Sequence, residues 1–288
     1  MALSNVNACD ADHGNDQLLA PATVHKAAAL ASVFAQFGIA SFLTPCFSSP
    51  MVEGVGSLPT ADPLDASVQA WWRDKVAEVA DAFRARSASD SSGSDDGLVS
   101  TFGGFLMKAD SEGMPGPSTY NRTEPQGAAL LADALAKPSP WGGVVGSTSN
   151  DNANGTDTDG VLLWRAFSHP GDITNTSGDQ PLMQWQIFTA LDGQWPSNMV
   201  LQIKHGPMDF QVHEPVHSLF GQLPKTSLMV ELGVAHEYTG QAWHLCHLPS
   251  MWGEYLAFDT QCDDPPPTAT RPSASAAAAA SSSSSSSS

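Results

Sequence analysis

The stretch FGGFLMKADSEGMPGP, residues 102–117, contains the pattern that decides the fold. Its first six residues form a short apolar run, which is typical of a strand buried on both faces. The Gly-Met-Pro-Gly-Pro that ends the stretch interrupts any helix or strand, so the chain must turn there. The stretch therefore predicts a buried strand whose end carries Lys108 and Glu112, and even spacing would place both side chains on one face.

Outward from this strand, helical patterns and apolar runs alternate in both directions. Helices are predicted over 18–38, 66–86, 127–137 and 181–193, and strands over 39–47, 160–167, 198–206 and 227–235, with 242–249 as a further candidate strand. Such alternation predicts a parallel sheet covered by helices. The pattern does not separate an open doubly wound sheet from a closed TIM (β/α)8 barrel. No glycine-rich nucleotide-binding motif follows the first strand, and polar residues after several strands suit a barrel, which gathers strand ends into one site.

Three segments are too polar or too simple in composition for a folded core. Residues 86–97 and 146–160 are Gly/Ser/Asp-rich insertions, and we predict disordered surface loops there. The end of the chain runs into poly-Ala and poly-Ser. We therefore predict one catalytic-type domain over 1–260 and a disordered tail over 261–288.

The charge of the chain excludes several classes of partner. Its 288 residues carry 30 acidic and 12 basic side chains, a formal net charge of -18. Such a chain repels phosphate backbones and anionic membrane surfaces, so we expect neither nucleic acid nor membrane as a partner. No signal peptide or transmembrane run is recognisable, and localisation stays open. A site for an anionic ligand would have to be built locally from few Lys and Arg.

The four cysteines show no metal-binding spacing. Cys9, Cys46, Cys246 and Cys262 form no Cys-x-x-Cys or Cys/His pattern, which argues against a zinc site. Cys9 and Cys46 fall in strand-like stretches, where we expect buried apolar filler. A disulfide framework is possible but not indicated.

Three carboxylates each follow an apolar run and a turn. Glu112, Asp209 and Glu237 share this placement in three separate parts of the chain. The repetition favours carboxylate catalysis at one end of the sheet. For each one alone, an ordinary solvated side chain in a loop remains the alternative.

Arg165 lies inside an otherwise apolar strand and therefore needs a partner. A structural ion pair with a nearby carboxylate is one interpretation. The other is a clamp for an anion, because a guanidinium binds a carboxylate through two parallel hydrogen bonds. In that case Arg165 and Lys204 would be two cations aimed into one pocket.

Four histidines surround the segments of the second and third carboxylates. His205 and His236 could donate hydrogen bonds to substrate hydroxyls or fix the carboxylates, whereas we expect His213 and His217 to be polar filler. The order of these residues is not His-Glu-x-x-His, so a metal site is the weaker interpretation.

The order and length of several motifs carry a family resemblance. VNA, FSSP, TADPLDASVQAWWRDK, FGGFLMKADSEGMPGP, LLWRAF, QIKHGPMDFQVHEP, LFGQLPKTSLMVE and HEYTGQ resemble glycoside hydrolase family 67, the xylan α-glucuronidases, from about Asn5 to Thr260. The resemblance implies a (β/α)8 barrel and an inverting hydrolysis that removes α-1,2-linked 4-O-methylglucuronic acid from xylan fragments. It implies that Glu112 is the general acid and that Asp209 or Glu237 is the base.

The resemblance also assigns the cations. It implies that Lys108, Arg165 and Lys204 contact the uronic acid, which agrees with the charge argument. No cofactor or metal is implied. A homodimer is possible in the family, and the sequence leaves the oligomeric state of this chain open.

Measured against the family, the chain is expected to be incomplete. The first barrel strand, an N-terminal domain and a C-terminal helical domain have no counterpart in it. The alternative function is therefore a non-catalytic uronic-acid-binding remnant, or a truncated inactive fragment of such an enzyme.

Overall fold

The structure is a computed structural model, and it describes most of the regions predicted to be helix or strand. The described residues are 2–3, 17–37, 39–90, 102–110, 115–136, 160–166, 180–207, 214–233 and 247–260.

Strands and helices alternate along most of these regions, as the sequence predicts. The strands are β1 (Ala2–Leu3), β2 (Ser41–Leu43), β3 (Phe102–Met107), β4 (Val161–Arg165), β5 (Met199–Lys204) and β6 (Leu228–Glu231). The helices are α1 (Pro21–Ala35), α2 (Ala66–Asp90), α3 (Glu124–Ala136), α4 (Gln180–Thr189) and α5 (Leu248–Ala257). Short 3-10 helices lie at Ser49–Met51 and Pro117–Tyr120.

The described strands form one parallel sheet in the order β1-β2-β3-β4-β5-β6. Every neighbouring pair is parallel, so the prediction of a parallel α/β fold is confirmed. The order follows the chain without reversal. A doubly wound sheet reverses its strand order at a switch point, so that alternative does not describe this set of strands.

Helix α2 shows how the sequence pattern produces the packing. Asp65 precedes the helix and accepts a hydrogen bond from the Ser67 backbone N–H at 2.8 Å, which satisfies one of the helix's unpaired donors. Apolar residues recur along α2 at three- and four-residue steps, and the face that they form is buried along its length: Val68, Trp72, Val76, Val79 and Phe83 are at most 2% exposed. Burial of each such side chain contributes about 1.5–3 kcal/mol, so this face holds α2 on the sheet.

Two boundaries differ from the prediction. Helix α2 continues to Asp90, so the first five residues of the predicted loop 86–97 are helical. That part contains no Gly or Pro, and the helix propagates through it. The candidate strand 242–249 is wrong at its last two residues, because they begin α5. Pro249 suits a first helical turn, where its missing N–H costs nothing.

Close packing of the strands depends on a glycine in β3. Gly104 has a φ of 134°, and a Cβ there would lie 1.9 Å from the Val161 carbonyl oxygen of β4. Only glycine allows the two backbones to approach this closely.

The chain divides into two units, Met1–Phe258 and Asp259–Ser288. All of the elements above lie in the first unit. The tail predicted over 261–288 lies outside the described residues, as does the predicted loop 146–160 up to Asp159. None of the helices in the described regions is long and apolar enough to cross a membrane.

Candidate functional site

The two faces of the central strands can be assigned from their contacts. Phe105 of β3 packs edge-on against Trp72 of α2, with ring centroids 6.0 Å apart. Trp164 of β4 donates from its indole nitrogen to the Glu124 carboxylate of α3 at 2.7 Å. These side chains define the face of the sheet that is covered by helices, and alternation places their neighbours on the opposite face.

The three predicted cations all lie on that opposite face, at the carboxyl ends of the strands. In the register, Met107 is opposite Trp164, so Lys108 and Arg165 follow them at the same level. Arg165 is in turn opposite Gln202 of β5, and Lys204 lies two residues further along the same strand. The structure therefore brings together Lys108, Arg165 and Lys204 across three neighbouring strands.

The two lysines of this group are buried. Lys108 is 6% exposed and Lys204 is 2% exposed. Removing an ammonium group from water is costly unless anions or dipoles compensate. In a chain of net charge -18, two buried lysines on one face at the strand ends mark a place suited to negative charge.

Arg165 is held by a carboxylate that sequence reasoning missed. Its Nε and Nη2 donate to the two carboxylate oxygens of Glu231 at 2.8 and 3.0 Å. The side chains of Arg165 and Glu231 are 13% and 21% exposed. The ion pair expected as one interpretation of Arg165 is therefore present. Its partner lies at the end of β6, in register with Lys204.

A signal for Glu231 existed in the sequence. It is the polar residue that ends the apolar run LMV in SLMVELG, as Lys108 ends the run before it in β3. The same reasoning applied to the strand-end residue itself would have found it.

His205 and His217 follow β5 and are both buried. Burial and the nearby Lys204 lower the pKa of His205, while Glu231 acts in the opposite direction. Its Nε2 lies 3.6 Å from a Glu214 carboxylate oxygen, which is too long for a hydrogen bond. Burial likewise lowers the pKa of His217 to about 4.

The surroundings of the two histidines separate their roles. His217 pairs with Gln184 of α4 at 3.2 Å and accepts from the Leu219 backbone N–H, so its prediction as structural filler agrees with its contacts. His205 packs edge-on against Trp252 and Tyr255 of α5. Its predicted hydrogen bonds to substrate hydroxyls stay a prediction, and His213 and His236 lie outside the described residues.

A carboxylate clasp closes the turn after β3. Asp110, at a φ of 48°, accepts hydrogen bonds from the backbone N–H and the hydroxyl of Ser118 at 2.9 and 2.5 Å. A left-handed conformation is tolerated by Asp and Asn better than by other side chains. The two ends of the segment that contains Glu112 are thereby tied together.

The three predicted carboxylates lie outside the described residues. Glu112, Asp209 and Glu237 fall in 111–114, 208–213 and 234–246. Each segment directly continues a described strand or its end. Their predicted roles stay predictions.

Cys46 corrects the cysteine prediction. It forms an isolated parallel bridge with Lys108 at the end of β3 and is part of a disulfide, so the filler interpretation is wrong for this residue. The other three cysteines lie outside the described residues. Within the described regions, no group of His, Cys, Asp or Glu could hold a metal ion.

Comparison with known proteins gives a consistent family. Residues 1–149 and 146–283 match the profile of the glycosyl hydrolase family 67 middle domain. The chain is 38% identical over 263 residues to a "Probable alpha-glucuronidase A" of Aspergillus fumigatus, covering 91% of this chain and 26% of that protein. It is 39% identical over 263 residues to an "Alpha-glucuronidase" of Hypocrea jecorina and 37% identical over 265 residues to a "Probable alpha-glucuronidase A" of Aspergillus niger, with the same shares covered.

The matches extend over almost all of this chain but only part of each relative. The chain spans about a quarter of the length of these proteins, 26%. Because the family profile matches well over half of the chain, the chain belongs to glycosyl hydrolase family 67, in the region of that family's middle domain.

Proposed function

We propose that this chain is the catalytic (β/α)8-barrel part of an α-glucuronidase, which removes α-1,2-linked (4-O-methyl)glucuronic acid from xylan and xylooligosaccharides. The observation that carries the proposal is the grouping of Lys108, Arg165 and Lys204 on one face of the sheet. Membership of family 67 and relatives named alpha-glucuronidase support it.

The strand order supports the barrel part of the proposal. Six parallel strands in sequential order are the arrangement that closes into a barrel when further strands complete it. A barrel would gather the carboxyl ends of all strands, and with them the segments containing Glu112, Asp209 and Glu237, around one pocket.

The cations give the site its substrate class. A uronic acid differs from a neutral sugar by one carboxylate, and the guanidinium and ammonium groups at the strand ends are the donors that bind a carboxylate with charge-assisted hydrogen bonds. In a protein with an excess of acidic residues, such a group distinguishes a uronic acid from glucose by its charge.

The reaction follows from two carboxyl groups on opposite sides of the scissile bond. Glu112, in its protonated form, donates a proton to the leaving xylose oxygen while the glycosidic bond breaks. Asp209 or Glu237 takes a proton from a water molecule, whose oxygen forms the new bond to the anomeric carbon from the opposite face. A single displacement of this kind inverts the anomer and needs the two carboxyl groups about 6.5–9.5 Å apart.

The test measures release of 4-O-methylglucuronic acid from aldouronic acids by the purified chain, beside Glu112→Ala. Asp74→Ala, at an exposed position on α2, which covers the opposite face of the sheet, is the matched control. We expect release by the parent and the control, loss in Glu112→Ala, and a β-anomer as the first product by NMR. A folded parent that binds glucuronate but releases nothing would favour the non-catalytic binding alternative. A first product with retained configuration would contradict the inverting mechanism.

A further inference from the structure

We infer that Glu231 is a positioning residue that fixes the guanidinium of Arg165 for recognition of the substrate carboxylate; this inference rests on the proposed function. Glu231 was not among the predicted site residues. The bidentate pair that it forms with Arg165, at 2.8 and 3.0 Å, is the observation that points to it.

The geometry of the pair sets the direction of the guanidinium. Arg165 ends β4 and Glu231 ends β6, with β5 between them. Strands two positions apart are separated by roughly 9–10 Å, so both side chains must extend across β5 to meet. Arg165 is thereby drawn over the strand that carries Lys204, on the side of β4 away from Lys108.

Glu231 binds one particular edge of the guanidinium and leaves another edge pointing in a defined direction. An arginine has five N–H donors in a planar fork, and Glu231 takes one from Nε and one from Nη2. A second carboxylate that binds with two parallel bonds would take the Nη1 edge. Glu231 therefore determines the plane and the direction in which that edge is presented.

The charge of Glu231 itself separates two roles that this residue could have. Glu231 has the same sign of charge as the substrate carboxylate and opposes its binding by repulsion. A positioning role and a purely electrostatic role therefore predict opposite effects when the charge is removed.

Two substitutions separate these roles. Glu231→Asp keeps the negative charge but shortens the side chain by one methylene, so it cannot span the distance across β5 with both bonds. Glu231→Gln removes the charge and keeps one acceptor oxygen. If positioning dominates, both variants weaken binding of a uronic acid; if charge dominates, Glu231→Gln strengthens it and Glu231→Asp leaves it unchanged.

The measurement is calorimetric binding of D-glucuronate and of D-glucose to the full chain, after circular dichroism has shown that each variant is folded. We expect Kd for glucuronate to rise at least tenfold in Glu231→Asp and in Glu231→Gln, with less than a twofold change for glucose. Kinetics with aldotriouronic acid should show the loss mainly in KM. If Glu231 only stabilised the fold, its variants would weaken the binding of glucuronate and of glucose together.

Arg165→Lys is the variant in which Glu231→Asp is tested a second time, since lysine keeps the positive charge but lacks the planar set of N–H donors. Because Glu231 acts through Arg165, adding Glu231→Asp to Arg165→Lys should cause no further loss of glucuronate binding. A parent chain that binds glucuronate no better than glucose would overturn both this inference and the proposed function. A parent that discriminates, together with a Glu231→Asp variant that discriminates equally well, would overturn this inference alone.

Discussion

Trp164→Phe tests how much the buried hydrogen bond behind the site contributes to stability. The Trp164 side chain is fully buried, and its indole N–H donates to the buried Glu124 carboxylate at 2.7 Å. The substitution removes the donor and leaves the carboxylate without this bond. A hydrogen bond to a charged group contributes about 1.5–3 kcal/mol, and a buried acceptor that loses its donor costs about as much.

Trp72→Phe is the control, because it removes the same atoms as Trp164→Phe but breaks no hydrogen bond to Glu124. Trp72 is also fully buried, and its indole nitrogen has no hydrogen-bond partner within the described part of the chain. Trp72→Phe and Trp164→Phe both lose apolar contact and leave a similar void. The difference in unfolding free energy between the two variants therefore isolates the bond, and we expect Trp164→Phe to be less stable by about 2 kcal/mol.

Urea unfolding followed by circular dichroism measures this difference. With an m value of about 3 kcal/mol/M, a difference of about 2 kcal/mol separates the two midpoints by roughly 0.7 M. Glu124→Gln keeps an acceptor oxygen and should lose less than Trp164→Phe, because the bond becomes neutral instead of charge-assisted. Equal midpoints for the two tryptophan variants would refute the reasoning, since the bond would then add nothing to burial.

Three further predictions concern the strand approach, a buried histidine and the turn clasp. Gly104→Ala should lower the free energy of unfolding by several kcal/mol or prevent folding, because the new Cβ would overlap a carbonyl oxygen of β4. Gly54→Ala is the control, since Gly54 has open space around it and a φ of 77°. It should lose only about 1–2 kcal/mol in thermal or urea unfolding. Burial lowers the pKa of His217 from 6.5 to about 4. Between these two pH values the unfolded chain therefore binds one proton that the folded chain does not. Stability is therefore complete above about pH 6.5 and falls toward pH 4, and His217→Gln should flatten that part of the urea-midpoint profile; an unchanged profile would contradict the assignment. Asp110→Ala should lower the unfolding free energy by about 1–3 kcal/mol through its two bonds to Ser118, whereas Asp110→Asn, which keeps an acceptor and suits the positive φ, should lose less; equal losses would count against the clasp.

The sequence predicted the elements well where periodicity and packing point to the same answer. The apolar face of α2 is buried as its spacing requires, and Trp164 lies on the helix-covered face of β4, opposite Arg165. The cations could be grouped because side chains alternate along parallel strands in a fixed register. The order of the strands in space could not be read, because hydrophobic pattern is the same in an open and a closed parallel sheet.

The errors have local physical causes. Polar composition predicts a loop from Arg86 onward, but α2 continues to Asp90 because no residue between them stops helix propagation. The disulfide at Cys46 was missed because pairing depends on distance in space, which cysteine spacing in a sequence of this length does not report. Glu231 is the last residue of β6, whereas the three predicted carboxylates each follow a turn after an apolar run, so the pattern that predicts them does not include it.

The arrangement of charges explains why these residues are at strand ends and not elsewhere in the chain. Lys108 and Lys204 are almost fully buried, Arg165 lies on the strand between them, and burial of like charges so close together opposes folding. A chain that needed only a stable sheet would gain by placing apolar residues at these positions. Glu231 offsets the charge of Arg165, and the parallel register places all four groups on the same face. Under the proposed function, a bound uronic acid would add a carboxylate beside these cations, so its binding would stabilise the folded chain by mass action.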